Sequence, residues 1–285
     1  MAGTKINRDS EKTEPSFKSG GPEDKTGRKQ DFTQGNIVKQ IVAFTLPLIA
    51  SSLLQALYNM VDMVIAGRFA GPSAISAINN SSQILVIITK IAIGITTGGC
   101  VLIAQFYGGK EDRSREEAAG TLVSLSAVLG IAFSVILAAS SGGILRILQA
   151  PAYDEAVLYL RICSAGMFFV YIYNAFSSML RAVGDSRTPM RIVIATTILN
   201  AVLDLVFVAG FGMGVAGAAW ATVIAQVLSA LLSLAAIMKE KELIRFTREF
   251  LRIRMGMLKQ TLKVGIPSAV QMTIAGFSWL LVTFL

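Results

Sequence analysis

The chain has 285 residues, of which 53% are hydrophobic and only 15% are charged, and its formal net charge is +8. With 25 glycines the apolar share is about 62%, whereas soluble globular chains have about 45–50% apolar and about 25% charged residues. This composition predicts an all-α, polytopic membrane protein and excludes a collagen, a disordered chain and a disulfide-stapled secreted module. Histidine is absent, and the two cysteines, Cys100 and Cys163, lie in apolar runs. No imidazole site, disulfide framework or metal cluster is therefore indicated.

Residues 1–35 form a polar tail rich in lysine, glutamate, serine and glycine. It has no apolar periodicity, so we expect a disordered cytoplasmic segment. It also lacks the apolar core and small-residue cleavage site of a signal peptide.

The rest of the chain carries long stretches without charged residues, and a spanning helix needs roughly 20 mainly apolar residues. The glycine-rich stretch 211–217 is typical of a turn and divides the longest run. No strand-like alternation is present, so the spans are predicted to be helices. The seven predicted spans are about 40–67, 75–107, 117–142, 157–182, 188–210, 215–238 and 262–285.

Basic residues cluster at one end of these spans. Of the 26 lysines and arginines, 22 fall in the tail or in the second, fourth and sixth loops. The positive-inside rule therefore predicts that the tail and even-numbered loops are cytoplasmic. The charge is a topology signal, so we expect no nucleic-acid partner. Residues 239–261 mix cations with apolar side chains and are predicted to be an amphipathic linker helix at the membrane surface.

The chain begins to repeat itself near its end. Phe44-Thr45-Leu46-Pro47 opens the first span and Val264-Gly265-Ile266-Pro267 opens the seventh. The match is short, and a chance match competes with a true repeat. We interpret the sequence as a truncated piece of a longer protein with two related halves. Residues 36–238 would form a first six-helix lobe, and 262–285 the first helix of an incomplete second lobe. We expect this seventh helix to be poorly supported because the rest of its lobe is absent.

Only two of the 18 acidic residues, Asp62 and Asp204, fall inside predicted spans. A charge at the bilayer centre costs at least about 2.5–3.5 kcal/mol on insertion scales, and such residues commonly face an interior cavity. A structural polar contact between helices is the alternative. Other polar residues recur at helical spacing with them and predict a wet cavity. These are Gln55, Tyr58 and Asn59 on the first span, Asn174 on the fourth, Thr196 and Asn200 on the fifth, and Thr222 on the sixth.

The two carboxylates are also predicted to lie at one depth. Asp62 is six residues before Arg68 and Asp204 six before Gly210, so each lies roughly 9 Å below the outer end of its helix. Two neighbouring carboxylates in a cavity of low dielectric share a proton or hold a cation. With amide and hydroxyl oxygens nearby, the pair could bind H⁺ or Na⁺. No other metal or cofactor is indicated.

Two further residues leave alternatives open. Lys90 lies in mid-span, where it is either a cavity-facing cation or a snorkelling or structural residue. Pro47 is either a hinge in the first helix or a proline of its opening turn.

Several motifs, taken in order, resemble the multidrug and toxic compound extrusion (MATE) transporters over about 38–285. No single motif is specific, but their order and spacing together are. They are Leu46-Pro47-Leu48-Ile49, Tyr58-Asn59-Met60-Val61-Asp62, Ala66-Gly67-Arg68, Gly94-Ile95-Thr96-Thr97-Gly98, Gln105-Phe106-Tyr107-Gly108, Leu180-Arg181-Ala182-Val183-Gly184-Asp185, Asn200-Ala201-Val202-Leu203-Asp204 and Gly214-Val215-Ala216-Gly217-Ala218-Ala219.

The resemblance implies a transporter, not an enzyme. Its function would be efflux of drugs or organic cations across the cytoplasmic membrane by antiport with H⁺ or Na⁺. The full-length protein is expected to be a twelve-helix monomer in the lipid bilayer, handling small cationic or amphipathic substrates. Carried over, the cation site comprises Asp62, Asn200, Asp204 and Thr222. The substrate cavity includes Gln55, Tyr58, Asn59 and Asn174, and Pro47 is the hinge.

Two alternatives remain at this stage. A relative in the same superfamily could flip lipid-linked oligosaccharides, which would favour several cations in the cavity, and only Lys90 hints at that. A non-transporting membrane receptor or scaffold is the other.

Overall fold

In a computed structural model, the protein is described over residues 37–239 and 251–284, without the side chains of Ile37, Lys39, Tyr58, Asn59 and 277–284. The predicted tail, 1–35, lies outside the described residues. Within them the chain forms seven helices, which confirms the predicted all-α class. They are α1 (Ile37–Phe69), α2 (Pro72–Gly108), α3 (Asp112–Ile147), α4 (Tyr153–Ala182), α5 (Arg187–Asp204, extended by a π-helix over Leu205–Gly210), α6 (Gly214–Lys239) and α7 (Met255–Phe284).

Six of the described helices, α1 to α6, are long and apolar enough to cross a membrane. Short connections join them, so consecutive helices run in opposite directions. At the first connection, Gly71 has φ 95° and Pro72 opens α2. Glycine adopts this left-handed backbone readily, and proline is favoured at the first position of a helix.

The turn between α4 and α5 is specified by the sequence around Gly184. Gly184 has φ 87°, and the amide of Asp185 donates to the carbonyl oxygen of Leu180, which closes the end of α4 in the manner of a Schellman motif. The Asp185 carboxylate then accepts hydrogen bonds from the backbone amides of Arg187 (3.1 Å) and Thr188 (2.9 Å). One glycine and one carboxylate thus end α4 and begin α5.

The centre of the bundle is α4, which packs on α2, α3 and α6. Its buried side chains belong to three apolar clusters that follow each other along the bundle. Gly130 of α3 allows a close approach, since a methyl group there would lie 3.0 Å from the Cα of Phe168. The core is therefore built around α4, and the other helices surround it.

The first helix is covered least. It packs chiefly on α5, and one side of it exposes a row of apolar side chains. These include Val38, Ile41, Val42, Leu46, Ile49, Leu53, Leu57, Met60 and Val64. Its C-terminal end is held more firmly, because Ile65 and Ala66 are buried in a core cluster with residues of α2, α4 and α6.

The seventh helix corrects an expectation. As the first helix of an incomplete second lobe, it should be poorly supported, yet it packs closely along α2. A methyl group on Gly94 would lie 2.2 Å from the Cα of Ala269, and one on Gly98 would lie 2.3 Å from the carbonyl oxygen of Thr261. Small residues at four-residue spacing let two helix backbones approach in this way. The surface that supports α7 is thus a glycine pair on α2.

The linker also differs from the prediction over the residues that the structure describes. Residues 251–254 are not helical, and 255–261 already belong to α7; residues 240–250 lie outside the described part. The non-helical segment is fixed to α3, since Ser124 donates to the carbonyl oxygen of Leu251 (2.7 Å) and the Arg254 amide donates to the Thr121 hydroxyl (3.2 Å). These polar contacts end the linker where the sequence pattern predicted it would continue.

Candidate ion-binding and substrate site

The two intramembrane carboxylates meet in the structure. Asp62 on α1 and Asp204 on α5 are buried, with exposed fractions of 5% and 1%, and their carboxyl groups lie next to each other. They can do so because α1 packs on α5 and both residues lie about two turns from the ends of their helical segments, at Phe69 and Gly210. Two carboxylates buried side by side repel each other unless one is protonated or a cation lies between them.

Polar residues on α5 and α6 line the same region. Asn200 precedes Asp204 by one turn on the same face of α5 and is buried. Thr222 is buried on α6, one turn from Ala219, and the carbonyl oxygen of Ala219 faces the thiol of Cys163 at 4.0 Å. Thr196 is turned inward too, but its hydroxyl donates to the Ile192 carbonyl oxygen. Asn200 thus lies one turn from Asp204, and Thr222 lies one turn from the residue of α6 that faces Cys163.

Several polar atoms of the Asp62/Asp204 pair and of Asn200 lack hydrogen-bond partners among the described residues. These atoms are Oδ1 of Asp62, both carboxylate oxygens of Asp204 and Nδ2 of Asn200. Buried polar groups are almost always bonded, and an exception calls for an explanation such as a bound ion or water. Neither carboxylate can donate to the other while both are charged. Three unbonded carboxylate oxygens are the donor set of a hard cation or a shared proton, so the residues present fit both ions.

Two residues of α4 beside the pair were not predicted. Cys163 is fully buried and lies within electrostatic range of both carboxylates, and the side chain of Tyr159 is within hydrogen-bonding reach of its thiol. Because Cys163 lies in an apolar run, the sequence gives no sign that it borders a polar site. Only the packing of α4 against α6 at the centre of the bundle brings it there.

The polar row of α6 continues toward the other end of the bundle. A methyl group on Gly166 of α4 would lie 1.9 Å from Oε1 of Gln226, one turn beyond Thr222. Oε1 is buried and has no hydrogen-bond partner among the described residues. The glycine therefore provides the space that this amide occupies between α4 and α6.

The predicted substrate-cavity residues are less concentrated. Gln55 follows the same face of α1 as Asp62, two turns away, but it is exposed. Asn174 is buried and donates to the Val170 carbonyl oxygen at 2.8 Å. It lies 11 residues beyond Cys163 on α4, roughly 16 Å from the level of the carboxylates. The side chains of Tyr58 and Asn59 lie outside the described residues. Of the two whose side chains the structure describes, Gln55 is exposed and Asn174 lies at another level, so neither is gathered with the carboxylate pair.

Pro47 lies in the interior of α1, at the eleventh residue of that helix, and is buried. It is therefore not a proline of the opening turn. It cannot donate a backbone hydrogen bond, and Ser51 donates its hydroxyl to the Pro47 carbonyl oxygen at 2.8 Å, a bond that often accompanies bending. The N-terminal half of α1, which contains Pro47, is largely uncovered by other helices. A bend at Pro47 would therefore not require a hydrophobic core to repack.

The fifth helix also changes form at the site. Directly after Asp204 the backbone becomes a π-helix, Leu205–Gly210, and the Phe211 amide donates to the Val206 carbonyl oxygen at 2.9 Å. Such segments are rare and often lie at functional sites. The sequence does not predict it, since the run around it is uniformly apolar.

Lys90 lies away from the carboxylates. A methyl group on Gly276 of α7 would lie 3.0 Å from its Nζ. The lysine stem therefore runs along α7, a contact that fits the structural interpretation.

Comparison with known proteins decides the family. The MatE family profile matches residues 47–206, more than half of the chain. The chain belongs to the MatE family. The match begins at Pro47 and includes Asp62, Asn200 and Asp204, so most of the candidate site lies inside it.

Relatives and solved structures of this family extend the match. The chain is 32% identical over 249 residues to a probable multidrug resistance protein, YpnP of Bacillus subtilis (strain 168), covering 86% of this chain and 55% of that protein. It superposes on a MATE structure in the bent conformation with a TM-score of 0.78, at 28% identity, over 85% of this chain and 55% of the other. A MATE structure in the straight conformation gives 0.76 at 27% identity, over 83% and 53%. The chain spans about half the length of the relatives it matches.

Proposed function

We propose that this chain forms the ion-coupling lobe of a secondary transporter, which exports drugs or organic cations across the cytoplasmic membrane by antiport with H⁺ or Na⁺. Residues 36–238 would be the first six-helix lobe and α7 the first helix of a second. The observation that carries the proposal is the buried pair of Asp62 and Asp204, with three carboxylate oxygens that have no hydrogen-bond partner among the described residues.

The pair binds one ion at a time. A proton shared between the carboxyl groups, or a Na⁺ held by their oxygens, removes the repulsion of two buried charges. Asn200 supplies an amide oxygen and Thr222 a hydroxyl, both suited to a hard cation. No other cofactor takes part. Tyr159 and Cys163 close the site on the side of α4 and keep water from it.

The first helix couples the site to the substrate. Asp62 lies 15 residues beyond Pro47, roughly 22 Å along α1. When an ion draws Asp62 toward Asp204, the outer half of α1 is held on α5 and the inner half bends at Pro47. An ion shifts the two conformations only as far as its affinities for them differ, so an ion that favours the bent form lowers substrate affinity if substrate favours the straight form.

The substrate would lie along the middle of α1, between Pro47 and Asp62. Gln55 is exposed there, and Tyr58, Asn59 and Asn174 are the other polar residues proposed for this cavity. A wall with few charges and much apolar surface suits small cationic or amphipathic molecules. The end of the bundle that carries most cations would face the cytoplasm, with the N-terminus on that side. The complete protein would act as a monomer in the cell membrane.

The proposal is tested by neutralising each carboxylate in the natural gene product that contains this chain, expressed in a drug-sensitive host. Asp62→Asn and Asp204→Asn should each abolish drug resistance and leave the protein in the membrane at its normal amount, because loss of an intramembrane charge lowers the cost of insertion. Asp154→Asn makes the same change at an exposed residue of α4 and should keep resistance. If drug resistance survives in both site variants, ion coupling does not take place at the carboxylates of this lobe.

Ion and substrate should also affect each other's binding. By reciprocity, an ion that weakens substrate binding by some factor has its own affinity weakened by the same factor. Substrate affinity should therefore fall as pH drops at fixed Na⁺, or as Na⁺ rises at fixed pH, and Asp204→Asn should flatten the dependence. If substrate affinity of the unaltered protein changes with neither pH nor Na⁺ concentration, antiport through this pair is refuted.

A further inference from the structure

A groove separate from the ion site opens at the end of the bundle where α5 begins and α6 ends. Its volume is about 280 Å³, close to the lower limit for small-molecule sites. Arg191, which lines the groove, precedes Asp204 by 13 residues on α5, so the groove lies roughly 20 Å from the carboxylate pair along the helix. Its lining residues are Leu180, Asp185, Thr188, Arg191, Ile192, Ala195, Leu232, Ala235, Ala236 and Lys239.

The groove exists because two helices place small side chains opposite each other. Ala195 of α5 faces Ala235 and Ala236 of α6 across it. On α6, Leu232, Ala235 or Ala236 and Lys239 recur every three to four residues, and thus form one stripe that ends in a cation. The walls are apolar and the charged groups lie at the outermost end.

This groove continues into a surface that suits acyl chains. Beyond Ala195, the same face of α5 carries Ile198 and Val202, with exposed fractions of 60% and 50%. An apolar stripe of this kind on a spanning helix lies against lipid. The groove therefore runs from the membrane surface, at Arg191 and Lys239, into the hydrocarbon layer.

The charge at its mouth is positive. Arg191 and Lys239 are exposed, and within residues 37–239 and 251–284 neither forms an ion pair. The one carboxylate in the lining, Asp185, is engaged by the amides of Arg187 and Thr188. Two cations above an apolar groove at the cytoplasmic end are complementary to a phosphate attached to acyl chains, and such basic pockets between helices bind anionic headgroups.

We infer that the groove between α5 and α6 binds an anionic phospholipid of the cytoplasmic leaflet. The phosphate lies between Arg191 and Lys239, and one acyl chain follows Ala195 and Ala235 toward Ile198. Because the site is apart from the Asp62/Asp204 pair, a lipid held here keeps the inner ends of α5 and α6 together without taking the place of the ion.

The inference is tested on the purified 285-residue chain, reconstituted in nanodiscs of equal parts phosphatidylglycerol and phosphatidylcholine. Native mass spectrometry after release into detergent counts the lipids that stay bound. The unaltered chain should retain phosphatidylglycerol at least fivefold over phosphatidylcholine. The double variant Arg191→Gln/Lys239→Gln should lose this preference. Lys110→Gln/Arg113→Gln removes the same charge from the same end of the bundle, outside the groove, and should keep it.

A variant that changes no charge separates this groove from general attraction to a basic surface. Ala235→Leu fills the apolar part and leaves both cations in place, so it should lower phosphatidylglycerol retention severalfold while the chain still elutes as one folded species. Equal retention of the two lipids by the unaltered chain would overturn the inference. So would a loss of preference in the Lys110/Arg113 variant as large as in the Arg191/Lys239 variant, or full retention in Ala235→Leu.

Discussion

The packing of α7 on α2 can be tested with a single methyl group. Gly94→Ala adds a Cβ that would lie 2.2 Å from the Cα and 2.6 Å from the Cβ of Ala269. Non-bonded carbons meet at about 3.5–4.0 Å. The helix α7 must therefore move away by about 1.3–1.8 Å, because the nearest atom belongs to the backbone and cannot rotate aside.

The expected cost follows from two opposing effects. Overpacking costs about 1–3 kcal/mol, and a clash with backbone belongs to the upper part of that range, about 2–3 kcal/mol. Against this, alanine gains about 1 kcal/mol over glycine in a helix. We expect a net loss of about 1–2 kcal/mol, or roughly 2–8 °C in melting temperature for a chain of this size. Fluorescence-detected size exclusion of the heated chain in detergent measures it.

Two comparisons make the test specific to the α2/α7 contact. Gly143→Ala is the same change near the end of α3, where a methyl group meets nothing within 4 Å, so it should melt at or above the parent temperature. Ala269→Gly should not restore the Gly94→Ala variant, since the clash with the backbone of residue 269 remains. If Gly94→Ala melts no lower than Gly143→Ala, or if Ala269→Gly restores it fully, the close approach of the two backbones is wrong.

Three further changes follow from the same structure. Pro47→Ala should slow substrate exchange in liposomes severalfold and leave equilibrium ion affinity within about twofold, because it restores a backbone donor in α1 and leaves the ligand oxygens in place; an equal effect on both would argue against a hinge. Asp185→Ala should lower stability by about 0.5–2 kcal/mol through loss of the cap on α5, and Asp185→Asn should keep most of it, as read from melting temperatures. Gly166→Ala should cost less than about 1 kcal/mol, because the methyl group meets the flexible end of Gln226; a drop as large as that of Gly94→Ala would contradict this.

The sequence predicts the seven helices because each carries a long apolar run, and the run through 205–238 is divided at its glycines. It also predicts that Asp62 and Asp204 lie at one depth, since charge is costly in lipid and the helical rise is constant. The sequence does not predict which side chains of different helices lie next to each other. Cys163 borders the pair only because α4 packs at the centre of the bundle, a three-dimensional fact without a local signal.

Two other features could not be predicted for related reasons. Gly94 and Gly98 are recognisable as a motif, but their role depends on Ala269 and Thr261, which come more than 160 residues later. The π-helix after Asp204 lies in a uniformly apolar run, where spacing favours an ordinary helix. Gln55 is exposed although it belongs to the polar stripe of α1. Such a stripe predicts which face of the helix a residue lies on, but not how much of that face the neighbouring helices bury.

The central claim is that Asp62 and Asp204 hold one proton or one Na⁺ between them. Infrared difference spectroscopy of the purified chain tests it most directly, since a protonated carboxyl group has a C=O band distinct from that of a carboxylate. We expect a protonated-carboxyl signal that disappears when pH is raised or Na⁺ is added, is absent from Asp204→Asn, and is kept in Asp154→Asn. A signal that neither ion changes, or that persists in Asp204→Asn, would contradict it.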